Sequence, residues 1–293
     1  MTEGQDLTAD GLAAIARSGR ALVLRSVARA GAGHVGGPLS AMDLLVALYF
    51  RILSVRPRDP LWPDRDRFVL SKGHSAIALY AVLAMRGFLP LSELDTFDAI
   101  DSRLQGHPDM TRLPGIDMSS GSLGLGFSAA VGMALGARTA RKEFTTFVML
   151  GDGECNEGIV WEGAHVAGRY GLDNLVAIVD DNRLQQYGWA SQCAGDRMPP
   201  YAGTELHDRW RAFGWHVVEI DGHDMEQILH ALEGPRAHDG RPQVVIARTV
   251  KGKGVSFMEN DYRWHARVPN EVELAAALSE VDAGEMPPEA VKR

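Results

Sequence analysis

Cysteine is nearly absent: Cys155 and Cys193 are the only two in 293 residues, too few for a disulfide framework. A basic excess is absent too. With 30 Lys and Arg against 38 Asp and Glu the formal charge is -8, which argues against nucleic acid or a membrane surface as partner. An anionic ligand is compatible with that charge only where metal, histidines or helix N-termini offset it locally. No apolar run approaches the ~20 residues of a membrane span, and residues 1–10 are too polar and acidic for a signal peptide. A soluble, cytoplasmic protein is expected. There is no close histidine pair and no His/Cys spacing of a zinc centre, no internal repeat, and no linker that would split the chain. The hydrophobic fraction is an ordinary 45%, enough for a full core.

Helical and strand patterns alternate along most of the chain. Residues 7–30 carry apolar positions at helical spacing, and a dense glycine loop, residues 31–38, stops them. A second helix is expected over residues 42–53, capped by Ser40. A short strand, residues 68–70, precedes a helix over 76–85. A small helix over 91–97 leads to an irregular stretch, 101–119, and Gly121-Ser122-Leu123 opens a small-residue helix reaching about Arg141. Helices over 204–213 and 225–232 and strands over 215–220 and 243–250 complete the pattern after a loop at 185–203. The expectation is one doubly wound α/β domain spanning residues 1–293, its mostly parallel sheet covered by helices on both faces, with loose ends at about 1–8 and 281–293.

The centre of the chain is a β-α-β unit. The apolar run at residues 147–150 ends in Gly151-Asp152-Gly153. A helix follows over 156–169, and a second apolar run, 175–179, ends in Asp180-Asp181-Asn182. Parallel sheets bind ligands beyond the carboxyl ends of their strands, so Asp152 and Asn182 are expected on adjacent strand tips. Two hard oxygen side chains, the Leu184 carbonyl and a diphosphate make a donor set suited to magnesium, or to calcium or manganese in its place. Four histidines lie in loops expected to gather at the same edge: His34 in the glycine loop, His74 after the first strand, His107 in the irregular stretch, and His265 after Lys251-Gly252-Lys253-Gly254. Backbone N–H groups at 121–123 suit an anion or a ring nitrogen. Cys155 is expected to pack beside the site.

These segments, in this order, resemble the transketolase family of thiamine diphosphate enzymes. Residues 66–74, Asp-Arg-Phe-Val-Leu-Ser-Lys-Gly-His, are long enough to be specific, and the likeness runs over about residues 12–275. It implies that Asp152, Asn182 and the Leu184 carbonyl hold the metal. It implies cofactor contacts from His74, Gly121, Ser122, Leu123, Gly153, Asn182 and His265. His34, His107 and His265 would face the sugar, and Glu157 would lie at a contact between subunits. Transketolases continue into two further domains, the first of which carries the glutamate that activates the cofactor. The resemblance therefore implies the N-terminal subunit of a split transketolase, active only with a separate C-terminal subunit in an α2β2 assembly. The motif departs from the family at Gln186-Tyr187-Gly188, close to the cofactor. The alternatives are a half of another thiamine diphosphate enzyme, of the 1-deoxyxylulose-5-phosphate synthase or 2-oxoacid dehydrogenase α type, or a non-catalytic cofactor-binding paralogue.

Overall fold

A computed structural model describes residues 7–186, 204–233 and 240–281. Five strands form one sheet: β1 (Arg67–Leu70), β2 (Thr146–Gly151), β3 (Leu175–Asp181), β4 (His216–Asp221) and β5 (Gln243–Arg248). Their order is β1-β2-β3-β5-β4, and every pairing is parallel. Eight helices accompany them among the described residues: α1 (Ala9–Ala30), α2 (Gly36–Ala47), α3 (Ala76–Arg86), α4 (Leu125–Thr139), α5 (Gly158–Arg169), α6 (Thr204–Ala212), α7 (Met225–Glu233) and α8 (Glu271–Val281). The fold is the expected doubly wound α/β arrangement.

Strand periodicity divides the core into two layers. Phe147, Met149, Val176, Ile178, Val245 and Ala247 pack with α1, α2, α3, α7 and α8 on one face. Their neighbours Val148, Leu150, Ala177, Val179, Val244 and Ile246 pack with α4, α5 and α6 on the other. Burial on both faces is why the three inner strands are continuously apolar up to their tips. Among the described residues no helix is long and apolar enough to cross a membrane.

Several local expectations need correction. Ser40 does not cap the second helix: α2 begins at Gly36, four residues earlier, and continues into a π-helical turn, Leu48–Ile52. Ser40 Oγ instead donates to Asp180 Oδ2 at 2.7 Å. Leu7 and Thr8, expected in the loose start, are ordered by packing and capping. Leu7 packs on the core, and the Thr8 hydroxyl accepts the Gly11 N–H that opens α1. Val281 is buried at the end of α8, a helix that periodicity alone does not predict. The rest of both ends, residues 1–6 and 282–293, lies outside the described residues, as do Cys193, Tyr187, Gly188 and most of the 185–203 loop.

Candidate active site

The site lies at the carboxyl end of the sheet, where glycines let four loops approach. A Cβ on Gly36 would sit 2.8 Å from Lys251 Cγ and 3.0 Å from the Trp264 carbonyl oxygen, so only glycine fits there. Backbone bonds tie these loops together: Gly252 N–H to Gly36 O at 3.0 Å and Val35 N–H to His265 O at 3.3 Å. The result is a ring of three imidazoles. The centroids of His34 and His74 are 5.1 Å apart, those of His34 and His265 5.1 Å, and those of His74 and His265 5.2 Å.

All three are held neutral. Burial, then the nearby His107, Lys251 and Lys72, bring the pKa of His34 down to about 4. Burial and Lys251 bring that of His265 to about 3. Burial and Lys72 hold His74 well below the ordinary range. The Lys251 ammonium lies 2.9 Å from His265 Nδ1, so Nδ1 accepts and Nε2 carries the proton. Lys251 is itself buried, which with the Lys72 charge lowers its pKa to about 8, and it also donates to the Leu184 carbonyl at 2.7 Å.

Two neighbouring carboxylates differ sharply. Asp180, fully buried on β3, pairs with Lys72 and accepts from Ser40, Thr249 and, at 3.4 Å, Asn182 Nδ2. Burial opposes its charge, but the Lys72 ammonium and these bonds outweigh it and hold the pKa below the ordinary value. Asp152, just past β2, pairs with no cation among the described residues, and its N–H donates to the Asp180 carbonyl at 3.3 Å. Burial, then repulsion from Asp181 and Asp180, push its pKa up to about 7. The expected adjacency of Asp152 and Asn182 follows from the register, in which Gly151 faces Asp180.

This donor set fits a small hard cation: a buried carboxylate that is costly as a free anion, an amide oxygen at Asn182 and a carbonyl at Leu184. An anionic group also fits beside it. Lys251 and the three imidazoles converge there, and next to His74 the buried Ser75 hydroxyl has no hydrogen-bond partner. Among the described residues no cluster of three His, Cys, Asp or Glu could hold a metal. Gly153 packs against Gln185, with a built Cβ 3.0 Å from Gln185 Cγ.

His107 stands apart from the ring. With His34 it lines a cavity of about 610 Å³. Tyr80 Oη holds its carbonyl at 3.1 Å, and its ring packs against Gly121, where a Cβ would lie 3.4 Å away. Residues 121–124 form a turn before α4 rather than its first turn, since the helix starts at Leu125. Glu154 secures that turn by accepting the N–H groups of Gly124 at 2.8 Å and Gly151 at 3.2 Å, together with the Ser71 hydroxyl. Glu157 occupies the N-cap position of α5, exposed and without a side-chain cap bond. Cys155 is buried, and burial raises its pKa well above the ordinary thiol value, so it packs rather than reacts.

Sequence reasoning gave no role to Lys72, Asp180 or Glu154, and it named Lys251, like Lys72 and Asp180, only as part of a motif. A buried lysine carries no local signature, and the partner of Lys72 lies 108 residues away.

A family model described as transketolase, thiamine diphosphate binding domain, matches residues 12–282. The chain is 44% identical over 263 residues to the 6-deoxy-6-sulfo-D-fructose transketolase subunit SqwG of Clostridium sp. (strain MSTE9), covering 90% of this chain and 93% of that one. It is 42% identical to a subunit of the apulose-4-phosphate transketolase of Phocaeicola vulgatus, covering 89% and 90%. The crystal structure of transketolase from Campylobacter jejuni superposes with a TM-score of 0.84 at 31% identity, over 93% of this chain but only 43% of that one.

Proposed function

The chain belongs to the transketolase family, and from that premise we propose that it is the N-terminal subunit of a split transketolase. It would be a single domain that moves a two-carbon ketol unit between sugars together with a separate C-terminal subunit. The relatives support this reading: two proteins that it matches over nine-tenths of their length are named as transketolase subunits. The assembly proposed is α2β2, in the cytoplasm. Donor and acceptor are sugars with a terminal phosphate or sulfonate, the classes for which the two relatives are named.

The observation that carries the reading is the neutral imidazole ring beside a cation-poor carboxylate. Asp152, Asn182 and the Leu184 carbonyl would hold Mg²⁺. His74, Gly153, Asn182, His265 and the N–H groups of Gly121, Ser122 and Leu123 would bind thiamine diphosphate. When bound, that cofactor supplies the electron sink that lets the bond beside a ketose carbonyl break and re-form. The residues of this chain orient the sugar and handle its protons. His34 and His107, with uncharged His34 able to accept a hydrogen bond, face the donor C3 hydroxyl. One of them takes its proton as the C2–C3 bond breaks and returns a proton to the acceptor aldehyde oxygen as the new bond forms. His265 Nε2–H donates to the oxygen at C2 and to the cofactor. Glu157 meets a neighbouring subunit.

The test is ketol transfer from a ketose phosphate to an aldose phosphate by this chain alone and with its copurified partner. Transfer only by the mixture, dependent on Mg²⁺ and thiamine diphosphate, is expected. Transfer by the chain alone contradicts the partner assignment, and tight cofactor binding without any transfer supports the non-catalytic alternative.

A further inference from the structure

The cavity shared by His34 and His107 has a second wall that the proposed chemistry leaves unused. It is built by Asp98, Gln105, Asp109 and Ser119, and among its described lining residues there is no lysine or arginine. Asp109 is already engaged: its Oδ1 accepts from Thr111 and Ser119, and Arg112 lies 3.6 Å from Oδ2. Asp98 is different. Its φ is +59°, a left-handed conformation that costs a non-glycine residue of order ~1 kcal/mol or more and persists only where surrounding structure enforces it. The enforcement is visible: Asp98 N–H donates to Leu104 O at 2.8 Å, and Asp98 Oδ1 accepts the Gly106 N–H at 3.1 Å. These two bonds close the loop that delivers Gln105 and His107 to the cavity. Oδ2 accepts no hydrogen bond, and no cation pairs with Asp98, among the described residues. A solvent-facing carboxylate with one uncommitted oxygen accepts a hydroxyl well and repels an anion.

We propose that Asp98 is a specificity-determining residue that admits the uncharged, hydroxyl-bearing part of the sugar to this cavity and turns its anionic end toward the partner subunit. The proposal rests on the ketol-transfer reading and adds to it an orientation of the substrate. It also separates two roles within one side chain. Oδ1 shapes the His107 loop, and the charge selects what enters beside it.

The experiment uses the complex of this chain with its copurified partner, Mg²⁺ and thiamine diphosphate. Two small donors are compared with uncharged glyceraldehyde as acceptor, which gives the same pentulose from both: hydroxypyruvate, whose carboxylate lies next to the reacting carbonyl and leaves as CO2, and uncharged erythrulose, which releases glycolaldehyde. Asp98→Asn keeps an oxygen for Gly106 and removes the charge. It is expected to raise kcat/KM for hydroxypyruvate relative to erythrulose by about threefold to tenfold, the scale of one partly screened charge interaction. Asp98→Glu keeps the charge and is expected to hold the native ratio. In the native complex, raising ionic strength is expected to shift the ratio the same way as Asp98→Asn does, a measurement that needs no variant to fold. A ratio unmoved by both the substitution and salt, or equal changes for both donors, overturns the proposal and leaves Asp98 a loop-shaping residue only. Transfer by the native complex neither from these donors nor from a ketose phosphate overturns the ketol-transfer reading itself.

Discussion

The tips of β2 and β3 end side by side in a buried aspartate each, and the protein treats the two in opposite ways. At β3, Asp180 is neutralised from within by Lys72 and saturated by hydroxyls of Ser40 and Thr249. At β2, Asp152 is nearly as deeply buried, forms no ion pair among the described residues, and is pushed toward its protonated form despite the more distant Lys251 charge. An internal ion pair stabilises geometry, whereas a carboxylate left without a cation is a place for a cation from outside. On the proposed reading Asp180 belongs to the scaffold and Asp152 to the cation site, although the sequence places both in equivalent positions after apolar runs.

Removing either charge separates the two roles. Asp180→Asn leaves the Lys72 ammonium buried without its partner and is expected to cost about 3–5 kcal/mol in urea unfolding. Asp152→Asn in chelator is expected to do the reverse, since it relieves a destabilised anion. The sign follows from the pKa. The unfolded carboxyl ionises at about 3.8 and the folded one at about 7, so the Asp152 contribution to stability falls as pH rises between those values and is flat above. The difference between native chain and Asp152→Asn should therefore be small at pH 4 and reach a few kcal/mol at pH 8, at ~1.4 kcal/mol per pKa unit. The imidazole ring works the other way, because its depressed pKa values cost stability as pH falls below about 6.5. Subtracting the variant isolates the aspartate.

The same contrast holds among the histidines. His34, His74 and His265 form the ring, while exposed His107 lines the cavity it shares with His34, the proposed place of the sugar. His107→Ala is expected to lower kcat by about a hundredfold, as loss of a general acid–base does, with a much smaller change in cofactor affinity. Equal losses in both would place His107 with the ring. A smaller effect is expected at the last helix. Asn270 and Glu273 exchange side-chain to backbone bonds at 2.9 and 3.0 Å, so Asn270→Ala should cost ~1 kcal/mol of stability and leave transfer intact.

That last pair shows a signal that periodicity alone overlooks. Asn-x-x-Glu before an apolar run marks a helix start, and it is this pair rather than the apolar spacing that announces α8. The central β-α-β unit is legible because strands buried on both faces are continuously apolar, and a parallel sheet puts their tips together. The histidine ring is legible only in part: sheet topology gathers four histidine loops at one edge, but it does not single out residues 34, 74 and 265, which meet through glycine contacts and tertiary backbone bonds that leave no local pattern. Ser40 misleads for a physical reason. A hydroxyl before an apolar helix looks like a cap, and only the sheet shows that its partner is Asp180, 140 residues on. The position of β5 between β3 and β4 likewise follows from packing, not from chain order.

The most direct test is Mg²⁺-dependent binding of thiamine diphosphate, followed by calorimetry in the assembled complex of native chain and of Asp152→Ala. Saturable, Mg²⁺-dependent binding by the native complex is expected, with a loss in the variant larger than the ~10–100-fold typical of residues that merely support a metal ligand. Unchanged cofactor affinity in a folded Asp152→Ala complex would contradict the assignment of the β2 tip as the cation site.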